Sequence, residues 1–489
     1  MNLRILPEPE LEFGGGGTHV DVRFGLMATG PLDRDSQLAP AQLKVGIVGS
    51  QDTIEGVRSW LEKCRGEIPA KESRLTNLFP RFPGFNPEGC FHATVQLHDR
   101  WTAPIHPREI EAVRAHPLKA ASDSADLFIE HAKRILDQGG PRVLICAPPG
   151  DLLDALDSPG QQIDSPEAEL DEGSELTVPS GADRPAFHDL LKARGMALGV
   201  PIQMIRPGTY LGRRTARRRK GAKLSSKPLQ DEATRAWNFH MALYYKAGGV
   251  PWRLVRDASE LTTCFVGISF YRTPNREHLL TSIAQVFNER GEGVIVQGGP
   301  AHLEKDDRQP HLADEDAARL LSGALTAYRQ EHRTAPARVV VHKTSSFDAA
   351  ELAGFKAAAD AAQIEVIDLV SVRRSFTRLF RTGAYPPLRG TELELDDVTR
   401  LLYLRGSVSF FETYPGMYVP RPLEFRKDHG VSTTKAIGEE ILGLSKLNWN
   451  NTQFDGGEPI TVRAARRVGD ILKHVPLGNP IQTRFRFFM

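Results

Sequence analysis

Short apolar runs and helical three-to-four spacings alternate along this chain. The run 42–50, QLKVGIVGS, reads as a buried strand, and Ile54, Val57, Trp60 and Leu61 then recur at helical spacing through 53–64. The same grammar predicts strands at 91–98 and 142–149 and a helix at 126–136. It continues with a helix at 186–199, a strand at 200–205 and a long helix over 229–249 that Gly248 and Gly249 can end. The second half restarts the pattern, with strands at 262–272, 293–299, 338–345, 364–370 and 407–414 and helices at 314–332 and 461–472. Val339, Val340 and Val341 suit a strand covered on both faces. After it, Ser345 or Ser346 is expected to cap a helix opening at Phe347, with Asp348 in its first turn. Regular strand–helix alternation means α/β architecture. Residues 1–40, rich in Gly and Pro, read as an extended lead-in with a hairpin or two. A boundary near 255 divides the remainder into regions 41–255 and 256–489.

Charge changes this picture locally. The net charge is +1, so composition alone does not argue for nucleic acid. Residues 157–184, however, carry eight acids and one base, a solvated insertion by composition. Residues 205–227 carry nine bases and no acid, including Arg206, Arg213, Arg214, Arg217, Arg218 and Arg219. The cysteines Cys64, Cys90, Cys146 and Cys264 stand singly, without zinc spacing or a disulfide framework, which fits a reducing cytoplasm. No leader-like or membrane-length apolar segment is evident, so a cytoplasmic location is expected.

The residues best able to bind something lie between 186 and 249. His188 and Lys192 sit four apart and share a helix face, Gln203 is on the next strand, and Lys246 ends the long helix. Such donors suit a phosphate. Read blandly, the same residues are a surface helix beside a solvated basic loop. Trp237, Phe239, Tyr244, Tyr245 and Trp252 read as core rather than base-stacking platforms. The GGGG at 14–17 lacks the Lys-Ser/Thr pair and frame of a phosphate loop, and VGS at 48–50 lacks the further glycines of a nucleotide loop. The tip beyond 338–341 offers His342, Lys343, Thr344 and Ser345 but no carboxylate. Two-metal hydrolysis needs several converging carboxylates, and no Gly-x-Ser-x-Gly elbow supports a serine triad.

Taken in order, these stretches resemble short prokaryotic Argonautes built of MID and PIWI domains. HVDVRFGLMATGPLD resembles the segment before MID; LKVGIVGSQDTIEGVRSWLEKC and NLFPRFPGF resemble its first part; KAGGVPW resembles the helix end at the junction. FVGISFYR, VVVHKTS and LSKLNWNNTQFDGGEPITVRAARRVGDIL resemble successive PIWI strands and the final helix. The resemblance implies a Rossmann-like MID domain followed by an RNase H-like PIWI domain, in a chain too short for the N and PAZ domains of long forms. It places His188 where many members have a stacking Tyr, and Lys192, Gln203 and Lys246 among the contacts to a guide's 5′-phosphate. A family lysine four positions before Lys246 is here Ala242, for which Arg206 or the basic loop could substitute. It makes Met489 a candidate for the C-terminal carboxylate that reaches this pocket, with Mg²⁺ as a candidate ion there. It also places Ser269, Thr344 and Arg466 at the positions of the metal-holding cutting residues, which implies a PIWI domain that does not slice.

The function so implied is that of a non-enzymatic sensor in prokaryotic immunity. The chain would bind a short guide, with RNA favoured and DNA left open, pair it with invading single-stranded DNA, and form a heterodimer with an APAZ-domain effector. A sirtuin-like or TIR domain in that partner would deplete NAD. Two alternatives remain at this stage. One is a stand-alone nuclease using Asp306, Asp307 or Asp314. The other is a metabolic α/β enzyme holding a phosphorylated small molecule.

Overall fold

The computed structural model describes residues 2–156, 186–212, 229–255, 261–274, 277–287, 293–380, 386–416, 419–476 and 478–489. The acidic insertion and the part of the basic run carrying Arg213, Arg214, Arg217, Arg218 and Arg219 lie outside these residues.

In the first half, Gln42–Gly49 is the central strand of a parallel sheet, flanked by Val143–Ala147 on one side and by Thr94–Gln96 and Thr102–Pro104 on the other. Ile202–Met204 continues the sheet beyond Val143–Ala147. All five residues of Val143–Ala147 are buried, as a strand covered on both faces requires. Ser50 caps the helix Gln51–Lys63 by accepting from Thr53 N at 3.3 Å. Helices Ala120–Leu136 and Phe187–Gly195 pack together over the sheet and bury Phe128, Ile129, Leu190 and Leu191 against Leu144 and Ile202.

A nine-stranded mixed sheet organises the second half. Its order is Leu3–Ile5, Thr391–Glu394, Thr399–Leu402, Leu423–His429, Val366–Arg374, Arg338–Lys343, Thr263–Arg272, Leu279–Phe287 and Gly293–Pro300. The central strands Thr263–Arg272, Arg338–Lys343 and Val366–Arg374 run parallel. Helices Asp314–His332 and Ala349–Ala361 cover one face, where Cys264, Val266, Ile268, Val339 and Val341 are buried. The last helix, Ile460–Leu472, covers the other. It comes so close that a Cβ on Gly267 would stand 2.0 Å from Thr461 O.

Three expectations need correction. The lead-in is not merely extended: Leu3–Ile5 joins the edge of the large sheet, and Val22–Thr29 is a helix capped by Asp21. The expected hairpin is present, Leu11–Glu12 pairing antiparallel with Thr18–His19, and Leu11–Glu12 also pairs with Arg253–Leu254. The segment 407–414 is not a strand; it holds a short 3₁₀ turn, Ser409–Phe411, between isolated bridges. The helix after 338–343 opens at Ala349, with Asp348 rather than a serine as its cap; Ser345 Oγ donates instead to Pro310 O. The strand Leu279–Phe287 was not anticipated, because its pattern mixes polar and apolar residues without clean alternation.

The aromatics Trp237, Phe239, Tyr244, Tyr245 and Trp252 are all buried, as core residues should be. One core runs through both halves, from Leu11 and Val45 to Trp449 and Phe488. His240 sits inside it between Phe82 and Phe85, its Nδ1 2.9 Å from Ala236 O. Burial depresses its pKa to about 4, and burial with Arg338 nearby depresses that of His342 to about 3. Below pH 6.5 the unfolded chain takes up protons that these native imidazoles refuse, so stability falls as pH drops from about 6.5 towards 4. Thermal melts across that window should show this loss, and His240→Phe should make the melting temperature less sensitive to pH.

Candidate nucleic-acid interface

The residues expected to hold a phosphate stand on or beside four elements. Lys192, on Phe187–Gly195, is buried, and its ammonium donates to Ile202 O and to Met489 O. Lys246 ends the helix Glu232–Lys246 and is also buried; its Nζ donates to Asn450 Oδ1 at 3.0 Å. That helix packs on Phe485–Phe487, the turn that leads to Met489. Gln203 donates from Nε2 to Met204 O at 3.0 Å, leaving its buried Oε1 without a hydrogen-bond partner among the described residues. Arg206 flanks the short helix Pro207–Leu211 as its N-cap residue, and Ala242 is packed in the core.

His188 is engaged differently from a stacking ring. Arg467, from the last helix, approaches its Nδ1 at 2.5 Å and bridges to Asp189 Oδ1 at 3.0 Å. Asp189 Oδ1 also lies 3.2 Å from that Nδ1. The guanidinium donates only to an unprotonated Nδ1, whereas the carboxylate accepts only from a protonated one, so the two contacts compete. Burial raises the Asp189 carboxyl, but Arg467 and His188 outweigh it and hold it well below the usual range. Sequence reasoning missed both Arg467 and Asn450, which come from the far half of the chain.

At the mouth of the large sheet, alternation decides which residues meet. His342 Nδ1 is 2.8 Å from Thr461 Oγ1, so even-numbered positions of Arg338–Lys343 face the last helix, and Thr344 follows that parity. On the neighbouring strand Gly267 meets Thr461, and Ser269, two residues on, shares its face. Ile268 pairs with Lys343, and Thr344 N donates to Ile268 O at 3.2 Å, which sets Ser269 level with Thr344. Ser282, opposite Ser269, donates to Ala465 O at 2.7 Å, one residue before Arg466. The structure thus gathers Ser269, Thr344 and the Arg466 turn at one end of the sheet. It also brings an acid that sequence reasoning overlooked. Glu458, just before the last helix, is buried and its Oε1 lies 3.1 Å from both Arg374 Nε and Arg466 Nη1. A divalent ion there would compete with two guanidiniums for one carboxylate.

Lys343 points to the opposite face and is fully buried. Its Nζ lies 2.5 Å from each oxygen of buried Glu351 and donates to Ser346 O at 2.7 Å. His311 Nδ1 is 3.0 Å from Glu351 Oε2, and its Nε2 is 2.9 Å from Asp307 Oδ2. Burial works against the His311 imidazolium, but hydrogen bonds to Glu351 and Asp307 outweigh it and raise its pKa. Burial lowers that of Lys343 despite Glu351 beside it. His311, Asp348 and Glu351 lie close enough to hold a metal, yet the Lys343 ammonium already neutralises Glu351 there. Of the acids of the nuclease reading, Asp307 belongs to this network, while Asp306 and Asp314 are exposed on the same side.

No protein-family model and no curated protein matches the sequence. Solved structures do. Clostridium butyricum Argonaute bound to a guide DNA and a 19-mer target DNA aligns over 98% of this chain and 53% of its own, at 15% identity and a TM-score of 0.64. Aa-Ago with externally bound siRNA aligns over 99% of this chain and 56% of its own, at 13% identity and a TM-score of 0.60. Drosophila Piwi aligns over 99% of this chain and 56% of its own, at 12% identity and a TM-score of 0.58. The chain spans about half the length of the structures it matches, and has their fold: a MID-like Rossmann region followed by an RNase H-like PIWI region. Among the described residues, no helix is long and apolar enough to cross a membrane.

Glu351→Gln should leave the buried Lys343 charge uncompensated and destabilise the protein by about 3–5 kcal/mol. Adding Lys343→Met should recover much of that loss, with denaturant midpoints as the measurement.

Proposed function

We propose that this chain is the guide-binding, target-sensing subunit of a prokaryotic immune system, and that it does not cut. The reading is supported by an Argonaute/Piwi fold whose sheet mouth presents Ser269 and Thr344 while Arg374 and Arg466 claim Glu458. Metal-dependent cutting needs carboxylates that hold two ions, and a guanidinium repels them. The Clostridium butyricum structure holds both guide and target DNA. By analogy this chain takes a short guide, RNA in our reading, and pairs it with single-stranded DNA. Base pairing then reads the sequence while the protein reads backbone and shape.

The guide's 5′-phosphate is assigned to the pocket of Lys192, Gln203 and Lys246, with His188 and Met489 at its rim. Two buried ammonium groups give that pocket a positive potential, and buried charges bind anions strongly because water screens them little. Entry of a phosphate requires Lys192 to exchange a backbone oxygen for a phosphate oxygen, and Gln203 to turn its amide. An Mg²⁺ ion in this reading would sit at the Met489 end of the pocket, where Met489 O already faces Lys192, and would share the phosphate oxygens. The output is assigned to a separate APAZ-bearing chain with a sirtuin-like or TIR NADase, whose equilibrium target pairing would shift.

Nucleic acid extracted from the purified protein should be short strands with 5′-phosphates. Lys192→Ala with Lys246→Ala should abolish the preference for 5′-phosphate over 5′-hydroxyl guides. Guide, target and Mn²⁺ should give no cleavage by this chain, while adding the partner should give target-dependent NAD loss. A phosphorylated small molecule in the extract, or cutting by the chain alone, would overturn the reading.

A further inference from the structure

Phe376 and Phe380 are 74% and 80% exposed, and no other phenylalanine whose burial is described is exposed. They stand on the segment that leaves the mouth-side end of Val366–Arg374, directly after the Arg374 that shares Glu458 with Arg466. Their backbone is held in place. Ser375 N donates to Pro422 O at 3.2 Å, Thr377 N to Ser375 Oγ at 3.2 Å, and Leu379 N to the hydroxyl of buried Tyr403 at 2.8 Å. A pinned backbone with its rings turned to water is not a collapsed loop; the sequence forgoes their burial.

The surroundings say what the rings meet. Arg421 stacks toward the Phe376 ring, its Cζ 5.8 Å from the ring centre. Arg378 lies between the two rings in sequence, and Arg373 and Arg374 precede them. Of these, Arg374 is held by Glu458 and Arg373 donates to Gln309, whereas Arg378 is exposed and Arg421 lies against the ring. Positive charge thus stands beside the exposed aromatic faces. Bases stack on such faces, and phosphates complement such a charge.

We infer that Phe376 and Phe380 form a base-stacking platform for a single nucleic-acid strand at the sheet mouth, with Arg378 and Arg421 on its phosphates. The inference rests on the nucleic-acid reading above and adds a second contact region, far in sequence from the 5′-phosphate pocket.

The test uses the full chain loaded with a 5′-phosphorylated RNA guide and a fluorescent single-stranded DNA target, read by anisotropy. A matched target carries abasic sites beyond the guide-paired region. Phe376→Ala with Phe380→Ala should weaken binding about tenfold per stacked base, leave the salt slope unchanged and abolish discrimination against abasic sites. Phe→Trp at both positions should restore binding, and Phe→Leu should not. Arg378→Gln should instead lower the salt slope by about 0.7. Unchanged binding by the alanine variant, or full rescue by leucine, overturns the platform. So does an alanine variant that keeps its DNA affinity but loses its protein partner, which would make the face a protein-docking surface. A wild-type chain that binds no guide would remove the underlying functional reading as well.

Discussion

The Lys192 ammonium is held by two backbone oxygens, one on the neighbouring strand and one on Met489, almost three hundred residues away. A buried cation cannot lose its partners cheaply, so this contact fixes the tail of the second half inside the first. Arg467 makes a parallel clamp through Asp189 and His188. Around both clamps lies one apolar core that includes Trp60, Trp237, Trp252, Trp449 and Phe488. The two sheets are therefore not beads on a string. The Lys192–Met489 contact exists only where they meet.

The last helix connects the pocket with the sheet mouth. Consecutive residues of a helix point about 100° apart, and here Arg466 reaches Glu458 at the mouth while Arg467 reaches Asp189 at the pocket. The opposite side of the helix rests on the sheet through the Gly267 gap and the Ser282 hydroxyl. Any rotation of this helix would disturb both ends together.

The strand Arg338–Lys343 shows how one element can carry two opposite environments. Its His342 face meets the last helix with a neutral imidazole. Its Lys343 face places an ammonium among Glu351, Asp348 and His311, where the geometry would otherwise suit a metal. The acids of this region thus serve a resident cation under two helices, on the side of the sheet away from Ser269 and Thr344.

Much was legible in advance. The α/β alternation, the buried strands 42–49, 143–147, 263–272 and 338–343 and the helix 314–332 follow from local periodicity. Lys192 was readable from its spacing to His188, and Lys246 from its place at a helix end three residues before Gly249. The partners that give those residues their chemistry were not: Met489 O for Lys192, Asn450 for Lys246, Arg467 for His188, Glu351 for Lys343 and Glu458 for Arg466. Nor was the edge strand Leu3–Ile5, too short to show a period until Thr391–Glu394 supplied its hydrogen bonds. A side chain's spacing along its own element is written in neighbouring residues, so the sequence determines which face it occupies. Which charge stands opposite depends on a segment a hundred or more residues distant, and only the packed chain decides that.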